Sequence, residues 1–158
     1  MELIRFLAYI LITIGVLQYF NPPPVRYDDL ALKKCWRADW TIHGWWPEHN
    51  RTSWPQFCNP RRYHLFNATE LEEKLGGRMW NWWSPCPEWK IDPVKFWRHE
   101  WEKHGTCTPD SPLQYFGRTL DLFEAAQGKS WYGCCGQDDK GQCLLHFNKT
   151  TDKWLGVC

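Results

Sequence analysis

Eight cysteines, at positions 35, 58, 86, 107, 134, 135, 143 and 158, constrain this chain more than any other feature. The chain has 158 residues, which suits one domain and crowds two. At that size, so many cysteines predict a disulfide framework formed in an oxidising compartment. No C-x-x-C pair occurs, which argues against a zinc ribbon. Three Asn-x-Thr sequons, at Asn50, Asn67 and Asn148, agree with a secreted glycoprotein. The apolar N-terminus, "MELIRFLAYILITIGVLQYF", reads as a signal peptide over residues 1–20. An uncleaved signal anchor is the other reading, and the only one that involves a membrane. No small-x-small site precedes "NPPPV", and the run is nearly long enough to span a bilayer. Residues 21–34 then read as a linker, because proline neither donates to a strand ladder nor sits inside a helix. Residues 35–158 remain as a single domain.

Charge is balanced, with 19 basic and 18 acidic side chains and a formal net charge of +1. That argues against a protein that holds nucleic acid by phosphate neutralisation alone. The 13 tryptophans are more than a small domain can readily bury, so some should be exposed as platforms for flat ligands such as bases or sugars.

The element pattern predicts an α+β fold. "ADWTIHGWWP" (38–47) alternates as a strand, with Trp40 and Ile42 on one face and Thr41 and His43 on the other. "NATELEEKLGG" (67–77) reads as a short helix with a Thr69/Glu72 capping box and a stop at Gly76. A second helix starts at Asp92-Pro93, the N-cap and first helical position, and stops at Gly105. A third starts the same way at Ser111-Pro112, carries Leu113, Phe116, Leu120 and Phe123 at helical spacing, and closes at Gly128. Strand-like pieces at 144–147 and 154–157 flank "NKTTDK" and predict a hairpin.

The second helix carries "FWRHEWEKHGTC" (96–107). With His99 at zero, helical rotation places Lys103, Glu100 and His104 at about 40°, 100° and 140°. His99 then neighbours Lys103, and Glu100 neighbours His104, each pair at i,i+4. Phe96 shares that face one turn earlier, while Trp97 and Trp101 point to the core. A zinc protease needs H-E-x-x-H with both imidazoles in one row. Here they diverge, and a lysine stands between them, so no metal is expected. The patch suits an anion: Glu100 can orient His104, and Lys103 with protonated histidines attracts phosphate. Two histidines can move a proton off one oxygen and onto another, with a further group stabilising phosphoryl charge. On RNA this needs no cofactor, because the ribose 2′-OH is a built-in nucleophile; DNA lacks it. The same residues also read as an ordinary solvated helix face, and spacing alone does not bring His43 near them.

Two motifs resemble those of the ribonuclease T2 family, the secreted acid RNases. "WTIHGWWPE" (40–48) is similar to the family's first active-site segment, with Trp45 where leucine is usual. "FWRHEWEKHGTC" is similar to the second almost letter for letter, and "YFGRTLDLFEA" (115–125) resembles the helix that follows in animal members. The resemblance covers residues 35–126 and implies a disulfide-stapled antiparallel sheet packed with helices. It implies a monomeric endonuclease for single-stranded RNA, extracellular or in a lysosome-like acidic compartment. His43 and His104 would be the acid–base pair, with His104 as base towards the 2′-OH and His43 as acid towards the leaving oxygen. His99 would bind phosphate, and Glu100 and Lys103 would stabilise the transition state. Trp46 and Glu48, the latter where aspartate is frequent, would contact the first base, and Phe96 the second.

The resemblance also implies bridges Cys58–Cys107, Cys35–Cys86 and Cys143–Cys158, and gives Cys134 and Cys135 no partner. Closing the Cys58–Cys107 loop should contribute about 3–4 kcal/mol. The family's Trp-Pro strand before the first cysteine is replaced by "NPPPVRYDDLALKK", and only "QGKSWYG" joins the third helix to the late cysteines. Both departures predict an incomplete central sheet. The alternative function is a secreted glycoprotein of this scaffold that binds RNA or a partner with little turnover. A disulfide-rich interaction module would leave both motifs unexplained.

Overall fold

The computed structural model describes residues 27–35, 40–48, 54–127 and 141–157. Strands β1 (Tyr27–Lys34), β2 (Trp40–Trp46), β3 (Gln142–Asn148) and β4 (Trp154–Val157) form one sheet in the order β2-β1-β3-β4. Every neighbouring pair is antiparallel. Helices α1 (Ala68–Trp82), α2 (Pro93–Lys103) and α3 (Pro112–Ala126) come between β2 and β3, with short 3-10 turns at Pro60–Leu65, Pro87–Trp89 and Gly105–Cys107. The fold is α+β, as the alternation of strand and helix patterns predicts. Among the described residues no helix is long and apolar enough to cross a membrane. The N-terminal apolar run and Asn50 lie outside the described residues.

Residues 27–34, expected to belong to a linker, form β1 and sit inside the sheet between β2 and β3. The correction has a plain cause. "YDDLALKK" is charged only at its ends, and Leu30, Ala31 and Leu32 are fully buried. That apolar centre pairs on both edges, with Leu30 opposite Trp45 on one side and Leu145 on the other. A strand thus precedes the first cysteine after all, without the Trp-Pro pair.

Helix α1 also departs from expectation: it starts from an Asn67 cap, whose side chain accepts from the Glu70 N–H, and runs through Gly76 and Gly77 to Trp82. Two helical glycines cost roughly 1 kcal/mol each against alanine. Burial of Met79, contact of Trp82 with Phe123, and the Arg78 fork onto Asp121 and Glu124 of α3 favour continuation. Helices α2 and α3 begin where predicted. Asp92 accepts from the Lys95 N–H, and Ser111 forms a reciprocal capping box with Gln114. The predicted stop at Gly128 lies outside the described residues, and α3 ends at Ala126.

The core lies between the helices and the sheet face bearing Leu30, Leu32, Ile42, Trp45, Leu145 and Phe147. Tyr115 on α3 ties helix to strand, donating to the Trp45 carbonyl (2.9 Å) and accepting its N–H (3.3 Å). Trp45, Trp83, Trp97 and Trp101 are fully buried, whereas Trp54 and Trp80 are exposed. Disulfides join Cys35 to Cys86 and Cys58 to Cys107. Cys143 is also disulfide-bonded, but the implied partner Cys158 and the Cys134–Cys135 pair lie outside the described residues.

Two glycines should respond to alanine with opposite signs. At Gly105 a Cβ would stand 2.3 Å from the buried Trp101 ring, so Gly105→Ala should lose about 1–3 kcal/mol in urea unfolding. At Gly77 nothing lies within 4 Å of an added Cβ, so Gly77→Ala should gain about 0.5–1 kcal/mol.

Candidate active site

The site begins with an irregularity in β2. Ala31 pairs with Gly44 and Leu32 with Ile42, which leaves His43 as an extra residue with no opposite number on β1. Such a bulge bends the strand and re-aims the side chain it carries. The next residue is glycine for a spatial reason. A Cβ on Gly44 would stand 2.2 Å from Glu100 Oε2 and 2.7 Å from Trp46 Nε1. The missing side chain is the opening through which the Glu100 carboxyl reaches the strand.

Glu100 projects from α2 and is only 2% exposed. Its oxygens lie 3.8 Å from His43 Nε2 and 4.0 Å from His104 Nε2, and it accepts from Trp46 Nε1 at 3.5 Å. The i,i+4 pairing of Glu100 with His104 follows the helical geometry, although α2 ends at Lys103 and His104 is its C-cap. The Trp46 ring stacks on His104 at 5.3 Å and 24°, and meets His43 edge-on at 5.3 Å. Phe96 and Trp89 lie 5.8 and 5.5 Å from the His43 ring. Strand and helix imidazoles therefore converge on one buried carboxyl.

Burial dominates the protonation of all three groups. It pushes Glu100 up to about 8, against the Trp46 N–H and the Lys103 charge. It drives His43 down to about 4, and Lys103, Lys33 and His99 add repulsion. His104 lies well below the usual imidazole range, again through burial first and then Lys103, His43 and His99. At neutral pH the cluster thus holds a protonated acid and two neutral imidazoles. An arriving anion would reverse the balance for the histidines, since a nearby negative charge favours their protonated forms.

A cleft of about 580 Å³ opens beside this cluster, lined by Lys103, His104, Trp46, Glu48, Trp54 and Asp29 among others. Of the predicted residues, His43, Trp46, Phe96, Glu100 and His104 come together, and Lys103 and Glu48 stand on the cleft wall. His99 does not line the cleft; it is exposed, its ring 6.1 Å from Phe57. Sequence reasoning missed Gly44 and Trp89 as site residues, and it missed the sheet-borne residues of the cleft, Asp29 and His146. A glycine inside a strand pattern is a recognised sign of a bulge or close approach, and could have flagged Gly44.

The model of the ribonuclease T2 family matches residues 24–142. The chain belongs to this family. Ribonuclease 3 of Arabidopsis thaliana is 44% identical over 89 residues, covering 56% of this chain and 36% of the relative. Ribonuclease T2 of Sus scrofa is 39% identical over 93 residues, covering 54% and 42%. The chain therefore spans less than half the length of these T2 ribonucleases. A solved structure of RNase NT in complex with 5′-AMP superposes with a TM-score of 0.54 at 23% identity, covering 82% of this chain and 89% of that one. That likeness establishes the shared T2 fold.

The protonation argument is open to direct measurement. In a histidine NMR titration, His43 should show a midpoint near 4 in the unliganded protein. Inorganic phosphate should raise it by roughly one pH unit. A midpoint that phosphate leaves in place would mean the cluster does not face an anion.

Proposed function

We propose that the chain is an endoribonuclease that cleaves single-stranded RNA by metal-independent transphosphorylation. The observation that carries this reading is the convergence of His43 and His104 on the buried Glu100 carboxyl, at 3.8 and 4.0 Å, beside a nucleotide-sized cleft. Family membership supports the same chemistry.

In the first step the ribose 2′-oxygen forms a bond to phosphorus while the bond from phosphorus to the 5′-oxygen breaks. The 2′-OH proton passes to His104, and His43 donates a proton to the departing 5′-oxygen. The 2′,3′-cyclic phosphate that results is opened by water with the roles reversed. His43 takes the water proton, and His104 returns its own to the 2′-oxygen, leaving a 3′-phosphate. The assignment follows accessibility and protonation. His104 is nearly sealed and strongly disfavours its cation, which keeps it neutral as a base. His43 is 25% exposed and less depressed, so it can carry a proton in mild acid. The protonated Glu100 can donate to a phosphoryl oxygen, Lys103 supplies fixed positive charge, and His99 extends the anion-binding edge. Trp46 and Glu48 line the first base position, and Phe96 flanks the second.

An oxidising, acidic compartment or secretion suits this reading. The disulfides require the first, and the low His43 midpoint favours the second. Asn67 is exposed at a helix start and Asn148 begins a tight turn, positions open to glycans.

The test is cleavage of the dinucleoside phosphate CpA in EDTA by oxidised protein. Cyclic phosphate should appear, and His43→Ala or His104→Ala should reduce kcat/KM by roughly 10²–10⁴-fold. A 2′-deoxy analogue should be inert. RNA binding without turnover would replace the enzyme reading with the binding one. Because His43 must be protonated, kcat/KM should fall from mild acid towards neutrality, by up to about tenfold per pH unit. A profile that rises across that range would sink the assignment of His43 as acid.

A further inference from the structure

Outside the cleft, the exposed face of α2 continues a line that Lys103 begins. Lys95, His99 and Lys103 are spaced four residues apart on this helix, so they form one row with steps of about 6 Å. Lys95 and His99 are exposed, and of the three only Lys103 lines the cleft. The segment 54–57 runs beside this row. Trp54 and Gln56 line the cleft with Lys103, the Phe57 N–H donates to the Lys103 carbonyl (2.8 Å), and the Phe57 ring stands 6.1 Å from that of His99. Phe57 is 45% exposed, and its φ of 51° lies in the left-handed region that a bulky side chain rarely adopts. Such strain persists where the surroundings over-determine it. Here the Lys103 carbonyl holds one side of the residue and the Cys58–Cys107 disulfide the other. An aromatic ring is thus presented to solvent on a fixed backbone, and no proton transfer described above uses it.

We infer that Phe57, His99 and Lys95 form a binding site for one nucleotide of the RNA strand beyond the cleaved pair. This rests on the ribonuclease reading of the cleft. The Phe57 ring takes the base by stacking, which accepts any base because each has a flat face. His99 and Lys95 take the phosphate. The step of about 6 Å along the row matches the distance between successive phosphates of a single strand. A strand whose reacting phosphate sits at Lys103 therefore brings its neighbouring phosphate to the next positions of the row. An imidazole donates an N–H to phosphate whether or not it carries a charge.

The charge around the row favours an anion. Arg98 is exposed beside His99, its guanidinium 4.6 Å over the Phe66 ring. The segment from Trp54 to Phe66 adds Arg61, Arg62 and His64 and contains no acid. The Arg62 guanidinium is engaged with the carbonyls of Thr106, Thr108 and Asp110, whereas Arg61 is exposed. Two acids stand against these cations: Glu102, close to His99, and Asp92, whose side chain accepts from the Lys95 N–H at the helix start. Neither belongs to the row of Lys95, His99 and Lys103. A positive line that tracks the backbone, with an aromatic ring beside it, is what a single strand needs for binding without sequence preference.

The test compares cleavage of CpA in EDTA with two extended substrates, UpCpA and CpApU, each carrying 2′-deoxyribose everywhere except at the cleaved cytidine. Only one step can then react. One trimer should exceed CpA about tenfold in kcat/KM, through KM, and which one does so tells whether the site holds the strand before or after the cut. Phe57→Gly removes the ring and suits the positive φ, so the backbone is kept. It should abolish the gain and leave CpA cleavage unchanged. Lys95→Gln should remove part of the gain and lower the salt dependence of trimer binding by about one counterion. No gain for either trimer, or a gain that Phe57→Gly leaves intact, overturns the inference. Fully 2′-deoxy dimers and trimers, bound at equilibrium and followed by tryptophan fluorescence, separate it from the reading on which it rests. A trimer that binds more tightly than the dimer, and loosens in Phe57→Gly, without any CpA cleavage removes only the enzyme reading. CpA cleavage with no trimer advantage removes only this inference.

Discussion

A carboxyl group that is almost fully buried has to be given partners, and Glu100 organises the site through that requirement. Its burial is costly unless hydrogen bonds or a proton compensate it. Trp46 provides an N–H, the proton stays on, and two imidazoles complete the shell. Each partner imposes a condition elsewhere. Residue 44 can carry no side chain, β2 must bulge at residue 43, and α2 must end where its last turn delivers His104. A glycine, a strand defect and a helix terminus thus answer to one oxygen pair.

The tryptophans hold these pieces in place by their polar edges as well as their bulk. Trp83 donates to the His43 carbonyl (2.9 Å), Trp97 to the Trp83 carbonyl (2.7 Å), and Trp101 to the Arg62 carbonyl (3.1 Å). Helix α2 is therefore fastened through Trp97 to the end of α1, and through Trp83 to the bulge itself. A buried indole needs an acceptor, and an unpaired strand residue leaves its carbonyl available. The bulge and the indole satisfy each other. Replacing Trp83 by another apolar residue of similar volume would keep the packing and lose this link.

Local signals in the chain announce some of this and cannot announce the rest. Caps at Asp92 and Ser111, the alternation of Trp40 to His43, and the i,i+4 pairing of Glu100 with His104 are each encoded within a few residues. They were legible for that reason. Strand β1 was not, because Leu30 and Leu32 lie between charged ends and follow a proline-rich run. Its strand character comes from pairing with one segment up to 17 residues away (Asp29 with Trp46) and another over a hundred away. The extension of α1 through two glycines is likewise decided by α3. His146 was invisible as a site residue because its meaning depends on Asp29, which stands opposite it only once β1 and β3 pair.

Both walls of the cleft now appear as one solution to a field problem. The histidine end gathers Lys103, His43, His99 and His104, and burial, with repulsion from Lys103, lowers all three imidazoles. The opposite end holds Asp29 paired with His146, and Glu48, whose carboxyl is raised to about 7 by burial and then by Asp29. A nucleotide likewise has two unlike ends, an anionic phosphate and a flat base whose edge carries both donors and acceptors. Under the ribonuclease reading its phosphate would meet Lys103 and His104 at one wall and its base would meet Trp46, Glu48 and Asp29 at the other. The near-zero net charge of the chain is consistent with this arrangement. A uniformly basic protein would attract RNA without orienting it, whereas a balanced one that separates its charges across a cleft can orient a single nucleotide.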